Sequence, residues 1–87
     1  MKYFAAISTM LDMEKNKQLR DAHLDYLNKL AKENKVFAKG KFSDGTGGLI
    51  IYKANSIEEG NKMAKDDPFI VGEARSYEIH EWEMKQG

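Results

Sequence analysis

The stretch "SDGTGG", residues 43–48, constrains the fold more than any other part of this chain. Asp-Gly followed closely by Gly-Gly is a strong turn signal, because glycine reaches backbone conformations that side chains resist. "KVFAKGKF" precedes it, alternating around Val36 and Ala38, and "GLIIYKA" follows it. Residues 35–54 therefore read as a β-hairpin.

The flanking segments complete a pattern. Residues 2–9, "KYFAAIST", are apolar on both alternating faces, as in a strand covered on two sides. "MLDMEKNK" is a loop or helix approach, and the helix after it runs to about Asn34. At ~100° per residue, Leu19, Tyr26, Leu27 and Leu30 share one face of that helix, with Asp21, Asp25, Asn28 and Lys32 opposite. Beyond the hairpin, Ser56 with Glu59 three residues on forms a capping box. Ile57, Gly60 and Ala64 give the second helix a narrow apolar stripe, with Met63 at its edge. Pro68 stops it, because the residue before a proline is pushed out of the helical region. "RSYEIHEW" is the last strand, with Tyr77 and Ile79 facing one way and His80 and Trp82 the other.

The order is β-α-β-β-α-β. With right-handed crossovers this predicts an α+β, ferredoxin-like fold: a four-stranded antiparallel sheet with both helices on one face. Residues 1–87 read as a single domain. The helices cover only one sheet face, yet "YFAAI" and "LIIY" are apolar at consecutive positions. A second copy of the same sheet is the expected cover, giving a homodimer.

Composition narrows the function. Lys+Arg and Asp+Glu balance at fourteen each, and the charges are interleaved. No net field recruits nucleic acid or anionic lipid, so neither is an expected partner. Without cysteine there is no disulfide scaffold, thiolate zinc site or cysteine nucleophile. The apolar N-terminal patch is too short for a signal peptide, with Asp12 following it, and nothing approaches a membrane span. The expected setting is the cytoplasm.

His23 falls in the middle of the apolar face of the first helix. Taken alone, this is better read as a hydrogen-bonded core histidine than as a functional one. A second oddity bears on the choice. In "KDDPF", Asp67 lies one turn past Ala64, near the inner stripe of the second helix. An acid at a helix C-terminus is electrostatically unfavourable, so it needs a cation or a function. Both helices pack on the same side of the inferred sheet, where a carboxylate can fix the orientation and tautomer of an imidazole and make it a general base.

Other residues are candidates of a lesser kind. Asp44 has a sufficient structural reason in the turn and is also a candidate at the site mouth. Gly45, Gly47 and Gly48 lack the strand-to-helix setting of a phosphate loop. His80 with His23 and Asp67 would make a two-histidine, one-carboxylate metal set, but no spacing brings His80 near; no metal or organic cofactor is expected. Ser8 and Ser43 lack a nucleophile-elbow context. Tyr3, Phe4, Tyr52 and Trp82 read as interface or pocket wall, and Met10, Leu11 and Met13 as an adaptable lip. Tyr3 and Phe69 join Asp44 as candidates for substrate contact.

The combination "AHLDYL", a Gly-Lys-Phe-Ser-Asp-Gly turn into "GGLIIY", "DDPF" and a strand ending in "EW" resembles the YciI-like (YCII-related) family over nearly the whole chain. The resemblance implies a fold like muconolactone isomerase, with two ferredoxin-like subunits forming a dimeric α+β barrel. It also implies a His-Asp active-site pair, which falls on His23 and Asp67. One branch of the family eliminates chloride from a chlorinated hydroxyquinone, so acid–base elimination or isomerisation of a small cyclic or enolisable substrate is the expected chemistry. The alternative is a non-catalytic dimeric module that binds a ligand or regulates.

Overall fold

The computed structural model describes residues 1–87. Its elements are β1 (Lys2–Met10), α1 (Met13–Lys32), β2 (Val36–Lys41), β3 (Gly47–Ala54), α2 (Ile57–Lys65), α3 (Pro68–Val71) and β4 (Arg75–Trp82). The sheet order is β2-β3-β1-β4, with every pair antiparallel. This is the ferredoxin-like βαββαβ arrangement.

Local chemistry sets the element ends. Asp12 caps α1, its carboxylate accepting the Lys15 N–H at 3.0 Å. At the other end Asn34 takes φ +61°, while the Lys35 N–H reaches Leu30 O and the Asn34 N–H reaches Ala31 O. That pair of bonds is a Schellman motif, and asparagine tolerates the left-handed position it needs. Ser56 caps α2 through the Glu59 N–H. In the hairpin, Gly45 and Gly47 have φ of +79° and +156°. A Cβ on Gly47 would lie 1.8 Å from Ser8 O, so β1 and β3 approach there only because the side chain is absent.

The core lies between the sheet and the helices: Phe4 and Ala6 from β1, Leu27 and Leu30 from α1, Tyr52 and Ala54 from β3, and Met63 and Ala64 from α2. Gly60 lets α2 settle on Phe4, whose Cγ would be 3.0 Å from an added Cβ. The Tyr26 hydroxyl ties α1 to α2 by donating to Met63 O at 2.7 Å. On the other sheet face, Tyr3, Ala5, Ile7, Leu49 and Ile51 alternate with these inward residues along β1 and β3. A register shift between Val36 and Ala38 marks a bulge in β2, and the Phe37 ring meets Tyr3 edge-on, centroids 5.1 Å apart.

One element departs from expectation. Pro68 does end α2, whose C-cap is Asp66, but it also begins α3, with Asp67 as that turn's N-cap. Asp67 is therefore not a misplaced acid at a helix C-terminus. Its carboxylate accepts the Phe69 N–H at 2.9 Å, and proline at the first helical position has no N–H to satisfy.

Candidate active site

α1 packs against α3, and that contact brings His23 to Asp67. His23 Nδ1 stands 2.7 Å from Asp67 Oδ1, with side-chain exposures of 12% and 5%. As a carboxylate Asp67 only accepts, and the same Oδ1 already takes the Phe69 N–H. The imidazole proton is therefore on Nδ1, and a neutral ring has its lone pair on Nε2. Phe69 fixes the ring plane as well: the two rings stack 3.9 Å apart, at 17°.

His23 lines a cavity of about 350 Å³ between α1, α3 and the hairpin end of the sheet. That is the lower end of the range for small-molecule sites. Leu24, Leu27 and Phe69 supply apolar wall and Met10 part of the rim. Arg75 closes the strand side. Its Nε donates to Asn16 Oδ1 at 2.8 Å, its Nη1 donates to Ser8 Oγ at 3.1 Å, and its Cζ lies 4.4 Å from the Phe69 ring centroid. Burial pushes this guanidinium below its ordinary value, and the Asp67 charge opposes the shift.

Beneath the site, Tyr52 is fully buried, and its hydroxyl has no hydrogen-bond partner. Burial, then the negative charge of Asp67, pushes that phenol well above its ordinary value. Tyr26 is pushed up to about 12, by burial first and by Asp66 and Asp67 next.

Of the expected site residues, the structure brings His23, Asp67 and Phe69 together. Asp44 sits exposed at the hairpin tip beside the cavity-lining Gly45, its Oδ1 accepting the Thr46 N–H and hydroxyl at 3.0 and 2.6 Å. Those two bonds hold its carboxyl below the usual range. Tyr3 lies outside the cavity, because its β1 parity sends it to the opposite sheet face from Phe4 and Ser8. Among the expected lip residues only Met10 lines the cavity; Leu11 and Met13 point to solvent. Ser8 lines it too, engaged with Arg75, while Ser43 does not. His80 is on the open face, bonded to Glu78 at 3.0 Å.

Sequence reasoning missed Arg75 and its partners Asn16 and Ser8. A signal was available in strand parity. Ser8 shares the inward face of β1 with Phe4 and Ala6, and Arg75 that of β4 with Tyr77 and Ile79. Polar residues at inward positions at one end of a sheet mark a wet cavity rather than a core.

Residues 1–83 match the YCII-related domain. The chain belongs to that family. A YCII-related relative, the uncharacterized protein YjpA of Bacillus subtilis (strain 168), is 30% identical over 84 residues, spanning 97% of this chain and 99% of that protein. Among solved structures, this YCII-related fold superposes with a TM-score of 0.81 on 5-chloro-2-hydroxyhydroquinone dehydrochlorinase (TftG) from Burkholderia phenoliruptrix AC1100, in complex with 2,5-dihydroxybenzoquinone. The match covers 95% of both chains at 21% identity, so the likeness is one of fold.

Proposed function

We propose that this protein is an acid–base enzyme acting on a small cyclic or enolisable compound by elimination or isomerisation. The observation that carries the reading is the His23–Asp67 contact of 2.7 Å behind an imidazole that lines a cavity. Asp67 holds the proton on Nδ1 and leaves Nε2 free to accept one from substrate. In an elimination, His23 Nε2 takes a proton, the electron pair of the broken bond forms a new double bond, and the leaving group departs with its own pair. In an isomerisation the imidazolium returns the proton to another carbon. Positioned general catalysis of this kind supplies roughly 10²–10⁴-fold, which suits an activated substrate.

A non-catalytic binding module would be served by a histidine sealed in the core. The cavity at His23 supports the catalytic reading instead. The fold likeness to a dehydrochlorinase makes loss of hydrogen chloride from a chlorinated hydroxyhydroquinone the first reaction to test. Chloride release, and solvent deuterium entering enolisable ring ketones, would be followed with wild type, His23→Gln and Asp67→Asn. The reading expects turnover in wild type and its loss in His23→Gln. Turnover that survives His23→Gln would refute it.

A further inference from the structure

We propose that the cavity beside His23 takes an organic anion, with the Arg75 guanidinium as the group that fixes it. The substrate class is then a small ring compound bearing a carboxylate or an enolate-type oxygen. The inference rests on the acid–base reading only for the anion's being a substrate, not for its being bound.

Charge is segregated in this molecule. The chain is neutral overall, yet Arg20, Lys39, Lys41 and Arg75 all line the cavity, and no aspartate or glutamate does. None of the four belongs to an ion pair, although Lys2, Lys35 and Lys62 elsewhere do. Asp67, the nearest buried acid, is turned to His23 and the Phe69 N–H. Lys39 and Lys41 are exposed and long, and they raise the local concentration of an anion more than they orient it.

Arg75 is different in kind. It is half-buried, and its protein partners, Asn16 Oδ1 and Ser8 Oγ, are neutral. Those bonds use two of the five guanidinium N–H groups and leave the others without a protein acceptor. A fixed, partly desolvated fork without a counter-ion suits a planar oxyanion. The backbone makes room for it, since a Cβ on Gly48 would meet Arg75 Nη1 at 3.3 Å. Phe69 contacts both the imidazole and the guanidinium, and all three side chains line the same cavity, so one small ring compound can meet both groups.

The test titrates the ¹⁵N-labelled protein with benzoate and, separately, with the neutral isostere benzamide, following the Arg75 Nε–H and the Gly48 and Phe69 amides. Benzoate should bind at least about tenfold more tightly than benzamide, and added salt should weaken benzoate alone. Arg75→Gln should erase the preference, and Arg75→Lys should keep part of it. Equal affinities in wild type, no binding of benzoate, or a preference that survives Arg75→Gln would overturn the inference. If Arg75→Gln does not fold, the wild-type comparison and its salt dependence decide. The two proposals fail separately. An inactive wild type that prefers benzoate removes the acid–base reading alone, and an active wild type without the preference removes this inference alone.

Discussion

Asp67 Oδ1 holds two donors that nothing else in the protein satisfies: His23 Nδ1 at 2.7 Å and the Phe69 N–H at 2.9 Å. One atom thus orders both the imidazole and the turn that carries the ring stacked on it. The pair is at once part of the fold and part of the proposed site.

Removing that carboxylate should cost stability. Asp67→Ala leaves a buried imidazole N–H and a buried amide unpaired, each worth about 1–3 kcal/mol. A loss of roughly 2–6 kcal/mol is expected in urea unfolding. Asp67→Asn keeps an acceptor oxygen of the same shape and should lose only about 1 kcal/mol. Equal losses in the two variants would mean that Asp67 acts through its charge rather than as an acceptor.

The turn glycines should separate sharply. Gly45 has φ +79° with open space around its Cβ position, so Gly45→Ala should cost about 1 kcal/mol in backbone strain. Gly47→Ala would drive a methyl into Ser8 O and force β1 from β3, for about 4 kcal/mol or more. Thermal unfolding of the two variants checks this, and similar midpoints would contradict the strand contact.

Alkaline pH should destabilise the protein through Tyr26. Its folded value, pushed up to about 12, lies above the ordinary 10, so folding favours the neutral phenol. The stabilisation is complete below about pH 10 and is lost as pH rises through 12. Absorbance at the phenolate band should show late titration that Tyr26→Phe partly removes, along with part of the alkaline loss of stability. An alkaline profile unchanged in Tyr26→Phe would exclude the mechanism.

We propose a homodimer through the open sheet face. Tyr3, Ile7 and Leu49 lie there, with Phe37 and Trp82 each 43% exposed. An apolar face of this extent on a small domain is a site for a partner, and the expected partner is a second copy. Light scattering at micromolar concentration should give twice the 9.9 kDa chain mass. Ile7→Asp should halve that value, and emission from Trp82, the single tryptophan, should shift red. A monomer of wild-type protein with its tryptophan already in water would exclude the arrangement.

The fold was legible because local signals agreed. The turn glycines, the Ser56 cap and the Pro68 stop each fell at an element boundary. The His23–Asp67 meeting was legible as a consequence of that fold, although its reason was misjudged: Asp67 caps the turn after it rather than straining the helix before it. Tyr3 was misplaced because two-sided apolar strands hide their parity. Arg75 was missed because its partners lie 59 and 67 residues away in sequence; strand parity marks Arg75 and Ser8 as inward but does not pair them.

In the proposed chemistry Asp67 holds the His23 proton on Nδ1 and leaves Nε2 free to accept one. Imidazole ¹⁵N chemical shifts, with ring couplings to the carbon-bound protons, measure it directly above the pH where the ring is charged. His23 should be in the Nδ1–H form in wild type, and the Nε2–H form should rise in Asp67→Ala, which leaves Nδ1 without its acceptor. A wild-type ring protonated on Nε2, or a tautomer unchanged in Asp67→Ala, would overturn the assignment.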